Sequence, residues 1–180
     1  MADVRQRMMT GIRLRPVGVV RSPFKNPADM PPPAFAPPRF LQSVKGAIEI
    51  FEEFAEGVED LDGYSHLIVL FHFHRAGPSK LKTVPPGQTE ARGIFSTRSP
   101  HRPNPLGMSV VKLLARKGRV LEVSGLDMVD GTPVLDIKPY TRRDRKSHIR
   151  TGWLKPSPRA ARGAPAERRK GGPSHGRKDR

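Results

Sequence analysis

Apolar and polar positions alternate with period two in several short stretches, and that period predicts strands. The clearest is SHLIVLFHFHR (65–75). Leu67, Val69, Phe71 and Phe73 share one face, and His66, Ile68, Leu70, His72 and His74 the other. VKGAIEIFEEF (44–54) starts the same way, with Val44, Gly46, Ile48 and Ile50 on one side. RLRPVGVVRSPF (13–24) predicts a first strand, at an edge or bulged, because Pro16 has no N–H to give a ladder. IFSTR (94–98) predicts a further short strand. MSVVKLLARKGRVLEVSGLD (108–127) predicts two strands about a Lys-Gly turn. LDMVDGTPVLDIKPY (126–140) adds an Asp-Gly turn and a last strand.

The intervening stretches break the pattern. KNPADMPPPAFAPPRFLQS (25–43) holds six prolines, so it predicts an extended, partly polyproline loop, with Phe35 and Phe40 as its apolar pins. AEGVEDLDGY (55–64) predicts a single helical turn, and AGPSKLKTVPPGQTEARG (76–93) a turn-rich loop. Helix is scarce and turns recur every dozen residues or so. The predicted fold is mainly β: a small barrel, or barrel-like sheet, of short and mostly antiparallel strands.

Composition changes after Tyr140. Residues 141–180 hold 14 Lys/Arg against 3 Asp/Glu, a net of +11, whereas residues 1–140 carry a net of +5. This tail of Arg, Lys, Ser, Pro and Gly has few large apolar residues, Trp153 and Leu154 among them. The predicted organisation is a flexible leader over 1–10, one β-barrel domain over 11–140 and a basic, largely disordered tail over 141–180. Such a tail either attracts polyanions by counterion release or is simply solvated.

The chain of 180 residues has no cysteine, which excludes disulfides, thiolate metal sites and cysteine nucleophiles and favours the cytoplasm. No apolar run approaches the ~20 residues of a membrane helix, and no signal peptide is read at the N-terminus. No Walker loop, G-x-G-x-x-G or G-x-S-x-G is present, so ATP, Rossmann-cofactor and hydrolase-elbow chemistry find no support.

The segment that draws attention is SPHRPNPL (99–106), set between two apolar runs. Pro100, Pro103 and Pro105 each fix φ and restrict the residue before them. Ser99, Arg102 and Asn104 are thereby held extended, a preorganised loop without secondary structure. It offers Arg98 and Arg102 as forked cations, His101 as donor or acceptor and Asn104 as both. Gly107 permits close backbone approach.

His72 and His74 lie on one strand face at a spacing some zinc sites use. A third ligand, His66, stands about 20 Å along the strand from His72. The expectation is therefore no metal, with the histidines packed or lining a polar pocket. Asp127, Asp130 and Asp136 lie near the last turn and strand. Asp130 is most simply a turn former. Asp136 shares a predicted strand face with Lys138, Val134 and Tyr140, either as a site or as a structural ion pair.

GIFSTRSPHRPNPLGMSVVKLL, with LDGYSHLIVLFHFHRA upstream and SGLDMVDGTPVLDIKPY downstream, resembles the TsaA/TrmO (YaeB-like) family from about Leu14 to Tyr140. The resemblance implies a non-Rossmann methyltransferase: a small β-barrel that forms a homodimer, binds S-adenosyl-L-methionine and acts in tRNA processing. The implied reaction is methyl transfer to the exocyclic amine of N6-threonylcarbamoyladenosine beside the anticodon. By position in the motifs, His74, Arg98, Leu106, Gly125, Leu126, Asp127 and Met128 are implied as donor contacts.

The expected mechanism is in-line transfer, in which the protein mainly orients two reactants. Asp136, then Tyr140, is the candidate base or hydrogen-bond acceptor for the amine. His101, Arg102, Asn104 and Lys138 are the candidate substrate contacts, with Arg102 and Lys138 suited to a carboxylate or RNA phosphates. The chain departs from the family where Pro31-Pro32-Pro33 replaces Pro-Arg-Gln, and it lacks the resemblance beyond Tyr140. A donor-binding protein without transfer and a plain RNA-binding β-barrel are the competing readings.

Overall fold

The computed structural model describes residues 11–30 and 38–154. The leader over 1–10, Pro31-Pro32-Pro33, Phe35 and the tail beyond 154 lie outside the described residues. Two units are separated, Met1–Arg142 and Arg143–Arg180. The first is a closed antiparallel barrel of six strands in the order β1-β2-β7-β6-β3-β8, with β8 returning to β1. The strands are β1 (Gly18–Arg21), β2 (Lys45–Ile50), β3 (His66–His72), β6 (Leu106–Lys117), β7 (Val120–Ser124) and β8 (Pro133–Pro139). Two minimal strands, β4 (Lys82–Thr83) and β5 (Arg92–Gly93), pair with each other inside the predicted turn-rich loop.

Alternation works as the sequence dictates. In β3, Leu67, Val69 and Phe71 are buried, and in β6 Gly107, Ser109, Val111 and Leu113 are. Ile48, Ile50, Leu121, Val123 and Val134 complete the interior. Burying each such Val, Leu, Ile or Phe side chain contributes about 1.5–3 kcal/mol. Phe71 packs its ring against Gly107 of the neighbouring strand, and a Cβ at 107 would be driven into that ring. The close approach that Gly107 permits therefore serves the core.

Several expectations are corrected. Closure leaves β1 without an edge, and the strand begins two residues after Pro16, so the proline never meets a ladder. Residues 94–98 do not form a strand. Ile94–Ser96 is a 3-10 turn, because Thr97 Oγ1 donates to Ile94 O at 2.8 Å and Ser96 Oγ to Gly93 O at 2.8 Å. Local side-chain bonds of this kind compete with a ladder. Within 25–43, Pro27–Asp29 forms a 3-10 turn and Pro38–Ser43 a short helix, α1, that opens on a proline. Pro is tolerated at the first helical position because its missing N–H would have no partner there. The acidic stretch holds 3-10 turns at Glu52–Val58 and Leu61–Gly63.

The face of β8 is also corrected. Its register against β3 shifts between Leu70 and Phe71, so that Leu70 faces Asp136 while Phe71 faces Val134. One extra residue in a bulge reverses the alternation. Val134 is fully buried, whereas Asp136 and Lys138 lie on the outer wall, where Lys138 Nζ meets Asp136 Oδ2 at 2.6 Å.

That outer wall is partly apolar. Register places Leu106 beside His72, Met108 beside Leu70 and Val110 beside Ile68. Leu106, Met108 and Val110 are 45%, 53% and 43% exposed. No helix among the described residues is long and apolar enough to cross a membrane.

Candidate functional site

Three chain segments meet where β3 ends and β6 begins. Phe73 N–H donates to Pro105 O at 2.7 Å, which fixes the proline-rich loop against the residues leaving β3. The loop holds itself by short turns. Ser99 N–H donates to Thr97 Oγ1 at 3.3 Å, His101 N–H to Ser99 Oγ at 3.4 Å, and Arg102 N–H to Pro100 O at 2.9 Å. The Arg102 guanidinium reaches back to Thr97 O at 3.3 Å. Lys80 N–H donates to His101 O at 3.0 Å and so ties in the preceding loop.

His101 is partly buried, and its ring lies so close to Gly77 that a Cβ there would stand 3.3 Å away. Gly77 follows His74 by three residues, so the two histidines flank one turn. Nδ1 of His74 and Nδ1 of His101 are both buried without a hydrogen-bond partner. A buried polar atom left unpaired is costly, so both nitrogens are candidate contacts for a ligand atom. Burial lowers the His74 pKa below its ordinary value, and the charges of Arg75 and His72 push the same way. A hydrogen bond to the His72 backbone opposes that lowering. Arg75 turns away, donating to Lys25 O at 2.5 Å and Asn26 Oδ1 at 3.2 Å.

The third segment follows β7. Gly125 N–H and Leu126 N–H both donate to Val44 O, at 2.9 and 3.3 Å, and Gly125 has φ +91°. This turn seats Leu126 and Met128 in the core, 0% and 2% exposed. Their side chains belong to the barrel interior, and the turn's polar side chain is the part-buried Asp127. Its carboxylate accepts the Ser109 Oγ hydrogen. Desolvation raises the Asp127 pKa above its usual value, while Ser109, its own backbone N–H and the Arg98 charge oppose the rise. Arg98 thus acts on Asp127 electrostatically.

The residues singled out from sequence divide into two sets. His74, Arg98, His101, Arg102, Gly125, Leu126, Asp127 and Met128 sit on these three segments. Asn104 belongs to the loop but is exposed, and Leu106 lies on the outer wall. Asp136, Lys138 and Tyr140 stand on the outer wall too, and a single chain does not bring them onto the face that Ser109 and Asp127 share. Tyr140 packs edge-on to His66, ring centroids 6.3 Å apart. Asp130 is structural: it accepts from Ser22 N–H and from Lys25 Nζ, both at 2.9 Å, and these bonds lower its pKa. Among the described residues no group of three or more metal-ligating side chains occurs.

Ser109 was not anticipated. Its signal is a hydroxyl at an inward position of an otherwise apolar alternation, Gly107-x-Ser109-x-Val111. Two open grooves, of about 410 and 570 Å³, lie elsewhere, lined by Arg15, Gly18 and Pro133 and by Glu56, Arg116 and Arg119. Arg15 pairs with Glu53 in the first groove and Arg119 with Glu52 in the second.

Comparison with known proteins agrees with this frame. A family described as the tRNA-methyltransferase O N-terminal domain matches residues 19–144. A probable S-adenosyl-L-methionine-binding protein of Pyrococcus abyssi is 46% identical over 141 residues, covering 78% of this chain and 74% of that protein. The tRNA (adenine(37)-N6)-methyltransferase of Escherichia coli K12 is 37% identical, covering 73% of this chain and 59% of the enzyme. The crystal structure of TrmO from Pseudomonas aeruginosa superposes with a TM-score of 0.66 at 35% identity, covering 80% of this chain and 63% of that one. The chain therefore spans less than two thirds of those last two proteins.

Proposed function

This chain belongs to the tRNA-methyltransferase O family, and from that premise we propose that it methylates N6 of an adenine in tRNA using S-adenosyl-L-methionine. The finer substrate we propose is N6-threonylcarbamoyladenosine beside the anticodon, with the work done in the cytoplasm. The observation that carries the reading is the pair of unpartnered histidine nitrogens at the proline-rich loop, whose Arg98 acts electrostatically on the Ser109-bound Asp127.

The residues present suit the donor. His74 and His101 offer ring nitrogens to its base or ribose, Asp127 accepts from hydroxyl or ammonium groups, and Arg98 suits its carboxylate. When bound, S-adenosyl-L-methionine supplies a methyl group on a sulfonium that leaves as a neutral thioether. The protein's own task is orientation. Asn104, exposed on the stiff loop, and Arg102, whose guanidinium would leave Thr97 O, are the proposed contacts to the incoming nucleoside. Asp136 is the proposed acceptor for the amine proton, with Tyr140 second to it, and Lys138 holds the carboxylate of the threonyl group.

Asp136 and Lys138 border the apolar strip of Ile68, Leu70, Leu106, Met108 and Val110. We place the homodimer contact on that strip. Docking there surrounds the Asp136–Lys138 pair with low-dielectric material and strengthens its field.

The test is to incubate the protein with labelled S-adenosyl-L-methionine and with tRNA, bearing or lacking the threonylcarbamoyl group, then digest to nucleosides. Label in N6-methylated threonylcarbamoyladenosine is expected. Donor binding without label in any tRNA rejects transfer. That result leaves a donor-binding protein, the reading that the name of the Pyrococcus relative favours.

A further inference from the structure

The acidic groups of the barrel are spoken for. Glu49 is held by Arg21 and Arg119, Glu122 by Lys117, Asp62 by Arg116 and Asp136 by Lys138. Two lysines on the outer wall, Lys45 and Lys112, are left without a carboxylate partner among the described residues. The register brings them together. Ser124 of β7 is the cross-strand partner of Lys45 on one side and of Lys112 on the other. Lys112 in turn pairs with His66 of β3, and Tyr140 N–H donates to His66 O at 3.0 Å.

The result is one row across the strands: Lys45, Ser124, Lys112, His66, Tyr140. With strands about 4.8 Å apart, the two ammonium stems rise about 10 Å from each other on either side of a small serine. Ser65 Oγ lies 2.9 Å from Nδ1 of His66, which fixes that ring, and Tyr140 supports it edge-on. The other ring nitrogen of His66 has no partner among the described residues. The row thus offers two unneutralised cations and an oriented imidazole and phenol, and nothing acidic faces it within the row.

We propose that Lys45, Ser124, Lys112 and His66 of this row form a phosphate-contacting track for the stem of the RNA substrate, distinct from the residues that meet the reacting nucleoside. The proposal rests on the tRNA reading above. Its place in the fold supports it. Lys112 lies three residues along β6 from Ser109, about 10 Å, and His66 six residues before His72, about 20 Å. A free nucleoside seated at the loop end does not span that distance, whereas a nucleic-acid stem continues past it. Spaced cations with hydroxyl and imidazole donors are what phosphate oxygens bind, and such contacts set orientation rather than sequence. An apolar protein partner would find no matching surface in the row.

The experiment compares full-length protein with Lys45→Gln/Lys112→Gln and Lys45→Arg/Lys112→Arg. Binding of tRNA is measured over a salt series, and S-adenosyl-L-methionine binding by calorimetry. For the Gln pair the expected result is roughly a 10-fold loss of tRNA affinity and a salt slope lower by about two. KM for tRNA rises with little change in kcat, donor affinity is unchanged, and the Arg pair retains binding. If wild type binds tRNA and the Gln pair keeps both affinity and slope, the track is refuted while the methyltransferase reading stands. If wild type binds no tRNA at all, both fall.

Discussion

Ser109 on β6 donates its hydroxyl hydrogen to the Asp127 carboxylate, across the junction between a strand interior and the turn after β7. The bond links the barrel's inward face to the proposed donor site. Desolvation lifts the Asp127 pKa, and Ser109 is the largest influence opposing that lift. Ser109→Ala therefore moves the Asp127 midpoint further up, read by carbonyl NMR titration, and weakens donor binding at neutral pH.

Asp127→Asn separates stability from function. A group whose folded pKa is raised costs stability once pH exceeds the unfolded value of 3.8, because it must ionise where it is desolvated. Asn retains an oxygen for Ser109 and has nothing to ionise. Urea midpoints at pH 7 should change by less than about 1 kcal/mol, while donor affinity falls by an order of magnitude or more. A large loss of stability with intact donor binding contradicts the assignment.

His74 gives a pH dependence of known sign. Its folded pKa lies below 6.5, so the unfolded chain binds the extra proton first as pH falls. The His74 contribution is fully present above about 6.5 and declines as pH drops toward the lowered folded value. Urea unfolding between pH 5 and 8 should show stability rising with pH across that window. In His74→Gln the rise should be smaller.

How legible was all this in the chain? Period-two alternation located β2, β3 and the β6–β7 hairpin, because inward and outward residues differ sharply there. It failed where one residue changes the parity. The bulge that separates Val134 from Asp136 leaves no mark in LDIKPY, since its cause is the partner strand. IFSTR misled because its Ser and Thr bond backward to Gly93 and Ile94 instead of feeding a ladder. The stiffness of SPHRPNPL was readable from its prolines. Its partners were not, since Phe73 and Lys80 meet it only once β3 pairs with β6. Ser109 was hidden for the same reason.

Gly107→Ala tests the core beneath the loop. The added methyl meets the Phe71 ring, itself 3% exposed and packed edge-on to Phe73 at 5.1 Å. Overpacking of this kind costs about 1–3 kcal/mol. Thermal unfolding should show the loss, and Phe71→Leu in the same chain should recover part of it, because the smaller side chain vacates the collision. Additive losses in the double variant would mean that the two positions do not share a contact.

The outer wall provides the test of assembly. Leu106, Met108 and Val110 lie along one strand face, beside Ile68 and Leu70, and none of the three is less than 43% exposed. An apolar strip of this sort is costly to leave in water and is covered when two copies pair through it. Met108→Glu puts a charge at the middle of the strip. For an isolated barrel the change is minor, within about 0.5 kcal/mol, because the side chain is already half in solvent. For a dimer it buries an unpaired carboxylate twice, once from each copy. Sedimentation should show dimer for the wild type and monomer for Met108→Glu, with the monomer's circular dichroism unchanged. A wild type that sediments as a monomer at tens of micromolar would remove the strip from the account, along with the dielectric argument for Asp136 and Lys138.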